Sequence, residues 1–123
     1  MSAGGDEFLE EDGDFYRGLF EHMLNGFVCC RMDFENGRPV DFVHLKVNRR
    51  FGQITGFTDV VGRRCSELVP DLRKSDPELF ETFGRVALSG ETERFVHYVV
   101  AVQAWFSIVA YSPRPAYFVA VFE

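Results

Sequence analysis

The chain has 123 residues, 46% of them apolar and 14 of them Phe, which is enough for one filled core and too few for two domains. No run approaches the ~20 apolar residues of a membrane span, and the acidic N-terminus lacks the apolar stretch of a signal peptide, so an anchored or self-exported chain is not expected. The formal charge of -6 sits in a leader where Asp6, Glu7, Glu10, Glu11, Asp12 and Asp14 precede the first basic residue, Arg17; the balanced remainder gives no electrostatic case for nucleic acid or an anionic membrane.

Residues 1–13 read as a solvated acidic leader and residues 14–123 as one domain. Within the leader, Gly4 to Phe8 spell GGDEF, which resembles the signature of the cyclases that make cyclic di-GMP. That family's fold implies a motif on a turn deep inside a longer domain, with acidic metal ligands and a phosphate loop before it. Here three residues precede it, so the match is read as chance. Asp14 to Leu24 then puts Phe15, Leu19, Phe20, Met23 and Leu24 on a helical stripe, with Asp14 as cap and Asn25-Gly26 as a left-handed stop.

Two strands follow, Phe27 to Phe34 and Val40 to Val47, around the hairpin loop ENGRP. In the second, Val43, Leu45 and Val47 alternate with Phe42, His44 and Lys46, which makes the first set the apolar face and sends His44 to solvent or an interface. Asn48 to Thr55 is a short helix capped by Asn48, with Phe51 and Ile54 inward and Gly56 as its end. Single turns at Thr58 to Val61 and Ser66 to Val69 precede a firm helix that Ser75-Asp76-Pro77-Glu78 opens as a capping box. Its stripe is Leu79, Phe80, Phe83, Val86 and Ala87, and Gly90 closes it. Three strands finish the chain, Arg94 to Val102, Ala104 to Ser112 and Tyr117 to Phe122. The expected fold is therefore α+β: a five-stranded antiparallel sheet whose helical flank lies between strands 2 and 3.

His22, His44 and His97 lie in separate elements, and no Cys or His spacing supports zinc, so neither a catalytic nor a metal site is expected. Cys29, Cys30 and Cys65 suit a reducing, cytoplasmic compartment.

This order of elements resembles a PAS domain. The likeness rests on HMLNGFVCCRMDFENGRPVDFVHLKVN, on NRRFGQITGFTDVVGRR against the signature N-x-x-F-x-x-x-T-G with V-x-G-R/K, on GRVALSGETERF and on WFSIVAYSPRPAYFVAVFE. It implies a signal-sensing input module of a larger bacterial signalling protein such as a sensor histidine kinase of a two-component system, one that binds a small apolar or aromatic ligand or a partner domain. PAS domains usually run on into Asp-Ile-Thr and an output domain, so the end at Phe122-Glu123 reads as a module cut from its transmitter. Homodimerisation through the first helix or an outer sheet face bearing Phe106, Ile108, Val119 and Val121 is expected.

The resemblance to ligand-holding members also implies a pocket between sheet and helices. By strand parity its wall would take Cys30 and Met32 from the first hairpin, Phe95 and His97 from the third strand, Trp105, Ser107 and Tyr111 from the fourth, and Phe122 from the fifth. Phe51, Ile54, Leu68 and Phe83 would close it from the helical side. The alternative is that these side chains fill the core of a ligand-free dimerisation module. Cys65 in GRRCSELVP stands where the flavin-binding light sensors keep their reactive cysteine, but the motif's second Arg and Gln are missing. The ring-holding amides correspond to His97, Ser107 and Phe122, so flavin is not expected. Haem is not expected either, because Asp76 to Ser89 holds no His.

Overall fold

The computed structural model describes residues 13–123; the leader through Asp12, with GGDEF inside it, lies outside the described residues. Helix α1 (Gly13–Glu21) carries Asp14 in its first turn rather than as its cap, paired with Arg17 at 2.7 Å. The helix stops at Glu21, short of the expected Leu24, and Gly26 begins the next strand instead of ending the helix. The hairpin of β1 (Gly26–Glu35) and β2 (Arg38–Val47) turns through Asn36 and Gly37, both at the positive φ that a two-residue type I′ turn requires.

Helices α2 (Arg49–Thr55), α3 (Cys65–Leu68), α4 (Leu72–Ser75) and α5 (Pro77–Ser89) follow, then β3 (Glu93–Val99), a 3-10 turn at Val100–Val102, β4 (Ala104–Tyr111) and β5 (Tyr117–Phe122). The strands form one antiparallel sheet in the order β2-β1-β5-β4-β3, with the helices between β2 and β3, as the sequence pattern leads one to expect. Gly56 and Gly90 end α2 and α5 in the left-handed conformation, each with φ of 77°.

Helices α2 to α5 cover one face of the sheet, and the core between them and the sheet is aromatic. Phe83 of α5 stacks on Phe118 of β5 at 4.6 Å, and Phe42 of β2 meets Phe118 edge-on at 5.2 Å. Strand parity fixes the inward set as Val28, Cys30 and Met32 on β1, Phe95, His97 and Val99 on β3, and Phe118, Ala120 and Phe122 on β5.

Two strands depart from the sequence reading. On β4 the buried residues are Phe106, Ile108 and Ala110, whereas Trp105, Ser107 and Tyr111 face outward. The register explains it: Ile108 pairs with Phe95 on one side and Phe122 on the other, and cross-strand partners share a face. Phe95 and Phe122 point in, so Ile108 must, and its odd-numbered neighbours cannot. The outer face accordingly bears Trp105, not Phe106 and Ile108. On β2 the inward residues are Phe42 and His44, not Leu45. The β1–β2 register shifts at Cys29/Cys30, so that Cys30 faces His44 while Val28 faces Val47. The bulge lets Phe42, His44 and Val47 all turn inward, leaving Leu45 and Lys46 both outside.

Helix α5 can lie close to β2 because Gly84 has no side chain there. A Cβ at Gly84 would stand 2.5 Å from Cγ and 2.8 Å from Cβ of Pro39. Alanine gains about 1 kcal/mol of helix propensity over glycine, whereas overpacking against a rigid ring costs about 1–3 kcal/mol. Gly84→Ala is therefore expected to lower stability in a urea titration, and an increase would show that the helix can move away freely.

Candidate functional site

The residues that line the space between sheet and helices are set in place by buried polar side chains at each end of the helical insert. At the first end, Asn48 is 2% exposed and uses its whole amide. Oδ1 accepts from the backbone N–H of Phe27 and of Phe51, both at 3.0 Å, and Nδ2 donates to the carbonyls of Asn25 at 3.0 Å and Phe20 at 3.3 Å. One side chain thus caps α2 and ties it to α1 and β1.

At the other end is Asp76, 1% exposed. Its carboxylate does not cap α5 and the expected Ser75–Glu78 capping box does not form. Instead Oδ1 accepts from the Val100 amide at 3.0 Å and lies 3.2 Å from Nε2 of His97, while Oδ2 accepts from the Ser75 hydroxyl at 3.1 Å and the Ala101 amide at 3.4 Å. The helix N-terminus is thereby fastened to the β3–β4 connection, and His97 is occupied by the carboxylate rather than by the interior.

Between these pins lies an apolar cavity of about 80 Å³. The sheet contributes Val28, Phe42, Val99, Phe106, Phe118 and Phe122; the helical side adds Phe51, Cys65, Leu72, Leu79 and Phe83; the β3–β4 connection adds Ala101 and Val102. Of the residues expected in a pocket, Phe51, Phe83 and Phe122 line it. Cys30 and Met32 are buried in the core beside it, and Ile54, Leu68 and Phe95 pack on the core from partly buried positions. Trp105, Ser107 and Tyr111 are on the opposite side of the sheet, Trp105 being 69% exposed. Sequence reasoning missed Phe42 and Phe106, which the β2 bulge and the β4 register turn inward, and it missed His44.

His44 is buried, forms part of the cavity wall, and holds the carbonyl of Arg63 at 2.8 Å from Nδ1. Burial lowers its pKa, opposed by that hydrogen bond and by the nearby charge of Asp41. Burial also pushes the Cys65 thiol up to about 12, with Asp41 adding to it, so this sulfur is a protonated wall group rather than a nucleophile at neutral pH. Cys30 is likewise held well above the usual thiol range by burial. Asp41 sets the start of α3, accepting from the Ser66 amide at 3.1 Å and hydroxyl at 2.6 Å.

A flavin does not fit this arrangement. Its tricyclic ring needs a site in the range of ~300 Å³ or more, Ser107 faces away, and His97 is bound to Asp76. Among the described residues no group of three His, Cys, Asp or Glu side chains is placed to hold a metal ion, and no helix is long and apolar enough to cross a membrane.

The architecture matches solved sensor domains. It is similar to a domain of the sensory box sensor histidine kinase/response regulator from Geobacter sulfurreducens, at 21% identity and a TM-score of 0.62, over 97% of this chain and 99% of that one. The photoactive yellow protein domain of the sensor histidine kinase Ppr from Rhodospirillum centenum matches at 17% identity and 0.58, over 86% and 90%. An RNA-binding light-oxygen-voltage receptor matches at 15% and 0.62, over all of this chain and 35% of that one. No family model and no curated protein matches the sequence. At these identities the likeness defines the fold: the chain has the PAS fold, the fold of sensor domains in signalling proteins.

Two outcomes follow from the pins and the imidazole. Asp76→Ala strands the Val100 and Ala101 amides near a dry core, and the expected loss is about 2–4 kcal/mol in chemical denaturation; a loss within ~0.5 kcal/mol would show that water reaches them. For His44, burial makes the folded ring harder to protonate than in the unfolded chain, where it takes a proton below its ordinary pKa near ~6.5. The unfolded state then binds more protons, so acid favours unfolding. The wild type is expected to lose stability between pH 7 and 5 more steeply than His44→Gln, and parallel curves would refute the assignment.

Proposed function

We propose that this chain is the non-catalytic input module of a larger signalling protein, which takes a small apolar molecule into the cavity, dimerises, and passes the change to a covalently attached output domain. The observation that carries the reading is the apolar void itself. Protein interiors pack to crystal-like density, and at ~24 cal/mol per Å³ an 80 Å³ space costs about 2 kcal/mol against a filled core. A binding site has a use for such a space and a scaffold core has none. A ligand there shifts the output only through unequal affinity for two states of the module, so its energy must reach the elements that wall the cavity.

The homodimer is supported by the outer face of β3 and β4. Trp105 is 69% and Val96 68% exposed, and Tyr98 meets Trp105 edge-on at 5.5 Å. An aromatic and aliphatic patch of this kind suits burial against a second copy. The same patch also favours the second reading, a dimerisation module without ligand, in which the void is left by imperfect packing. The module as proposed contacts neither nucleic acid nor membrane and works in the cytoplasm, where three free thiols are at home.

Xenon-pressure NMR and native mass spectrometry against a metabolite library separate the two readings. Shifts confined to cavity-wall residues and a retained small molecule are expected; no xenon shifts and no retained molecule would leave the scaffold. In sedimentation, Trp105→Lys is expected to convert a dimer to a monomer, and an unchanged dimer would move the interface elsewhere.

A further inference from the structure

The accessible part of the cavity wall comes from three short segments. Thr55 and Phe57, at the end of α2 and just past it, are half-buried, as are Val69 after α3 and Val102 in the turn Val100–Val102; Ala101 in that turn is exposed. Every other residue of the wall is buried. All five face one space of about 80 Å³, so they gather on its outward side.

The two margins of that side are held very differently. The turn is fixed, because the Val100 and Ala101 amides both donate to the buried carboxylate of Asp76. The other margin hangs on one hydroxyl: Thr55 Oγ1 donates to the Phe51 carbonyl at 2.8 Å and accepts from the Phe57 amide at 3.2 Å. Among the described residues, residues 57–59 make no further hydrogen bond. Phe57 also stands between two residues at positive φ, Gly56 at 77° and Asp59 at 52°. Few bonds and a chain that turns on both sides of the ring define a segment of low opening free energy.

The interior behind it asks nothing polar of a guest. Among the described residues no buried side-chain nitrogen or oxygen lacks a partner. The polar side chains of the wall, His44 and Thr55, are both bonded to backbone, and no ionised side chain lines it. A hydroxyl or charge brought in would lose its hydration without a waiting partner. The volume is about half of the ~150 Å³ engineered cavity that admits benzene, which limits the guest to roughly four to six heavy atoms.

We propose that Phe57 is the leaf of a doorway into the cavity, moving with residues 57–59 against the fixed turn at Ala101 and Val102, and that it admits small hydrocarbon-like guests without hydrogen-bonding groups. This rests on reading the cavity as a ligand site and adds how that site is entered and what it accepts.

Xenon exchange NMR on the whole chain measures the doorway, since a gate moves entry and exit rates together whereas a mere wall changes occupancy. Thr55→Val keeps the side-chain shape and removes the hydroxyl that holds the Phe57 amide; both rates are expected to rise roughly three- to tenfold, as one hydrogen bond allows. Ala101→Leu adds bulk at the opposite margin and is expected to slow both rates several-fold. Should Thr55→Val fail to fold, Ala101→Leu, at an exposed position, decides alone. For the guest class, isobutane is compared with 2-propanol, which has the same branched frame with a hydroxyl in place of one methyl. Isobutane is expected to bind roughly tenfold more tightly. Unchanged xenon rates in either folded variant, or 2-propanol bound as tightly as isobutane, would overturn the proposal while leaving the cavity as a site. Exclusion of both xenon and isobutane from the wild type would overturn the ligand reading itself.

Discussion

A carboxylate with 1% of its surface exposed fastens the helical layer to the sheet. Burying a carboxyl group such as that of Asp76 is costly unless it has hydrogen-bond partners, and here two backbone amides, a hydroxyl and an imidazole converge on it. The amides belong to Val100 and Ala101, in the turn that also supplies Ala101 and Val102 to the cavity wall. The start of α5 and the floor of the cavity are therefore positioned by the same two oxygens. If that turn were released, the space between sheet and helices would lose one side.

The need for such pins comes from the shortness of the insert's helices. A four-residue helix such as α3 or α4 forms at most one turn, far below the ~12–15 residues at which an isolated helix becomes marginal in water. Their geometry is supplied from outside: Asp41 of β2 holds Ser66 at the start of α3, Asn48 holds α2 to β1, and Asp76 holds the α4–α5 junction. Apolar packing fills the middle, with Leu72, Leu79 and Phe83 against the aromatic face of the sheet. Polar side chains determine where the short helices sit, and burial supplies most of the stabilisation.

The fold was legible because its punctuation is local. Asn36-Gly37 calls for a hairpin, Gly56 and Gly90 end helices, and strand-length runs on both sides of a helical stretch leave one arrangement of layers. The inward faces of the strands were legible only where period-two alternation continues unbroken, as on β1, β3 and β5. On β4 both sets of alternate residues are apolar enough to be buried, and only pairing with Phe95 and Phe122 decides between them. On β2 a bulge changes the parity within one strand, which no count along a single strand can reveal. Asp76 was hidden for another reason: Ser-Asp-Pro-Glu is an apt helix start, and all its partners but Ser75 stand more than twenty residues further along.

The least secured segment beside the cavity is the connection between α2 and α3. Residues 60–64 lie along β2 through the Val43–Arg64 bridge, the Gly62 amide on the His44 carbonyl at 2.7 Å and the His44 amide on the Arg63 carbonyl at 3.0 Å. Their ion pairs, Arg64 with Asp33 and Arg63 with Glu67, sit at the surface where solvent screening leaves them weak. The sheet behind the cavity is held by continuous ladders, and α5 by Asp76 and thirteen residues of helix. On the proposed reading, an occupant moves this connection before the sheet, because fewer buried bonds hold it. His44 touches both the void and the connection, so one ring joins the interior to the segment best able to change.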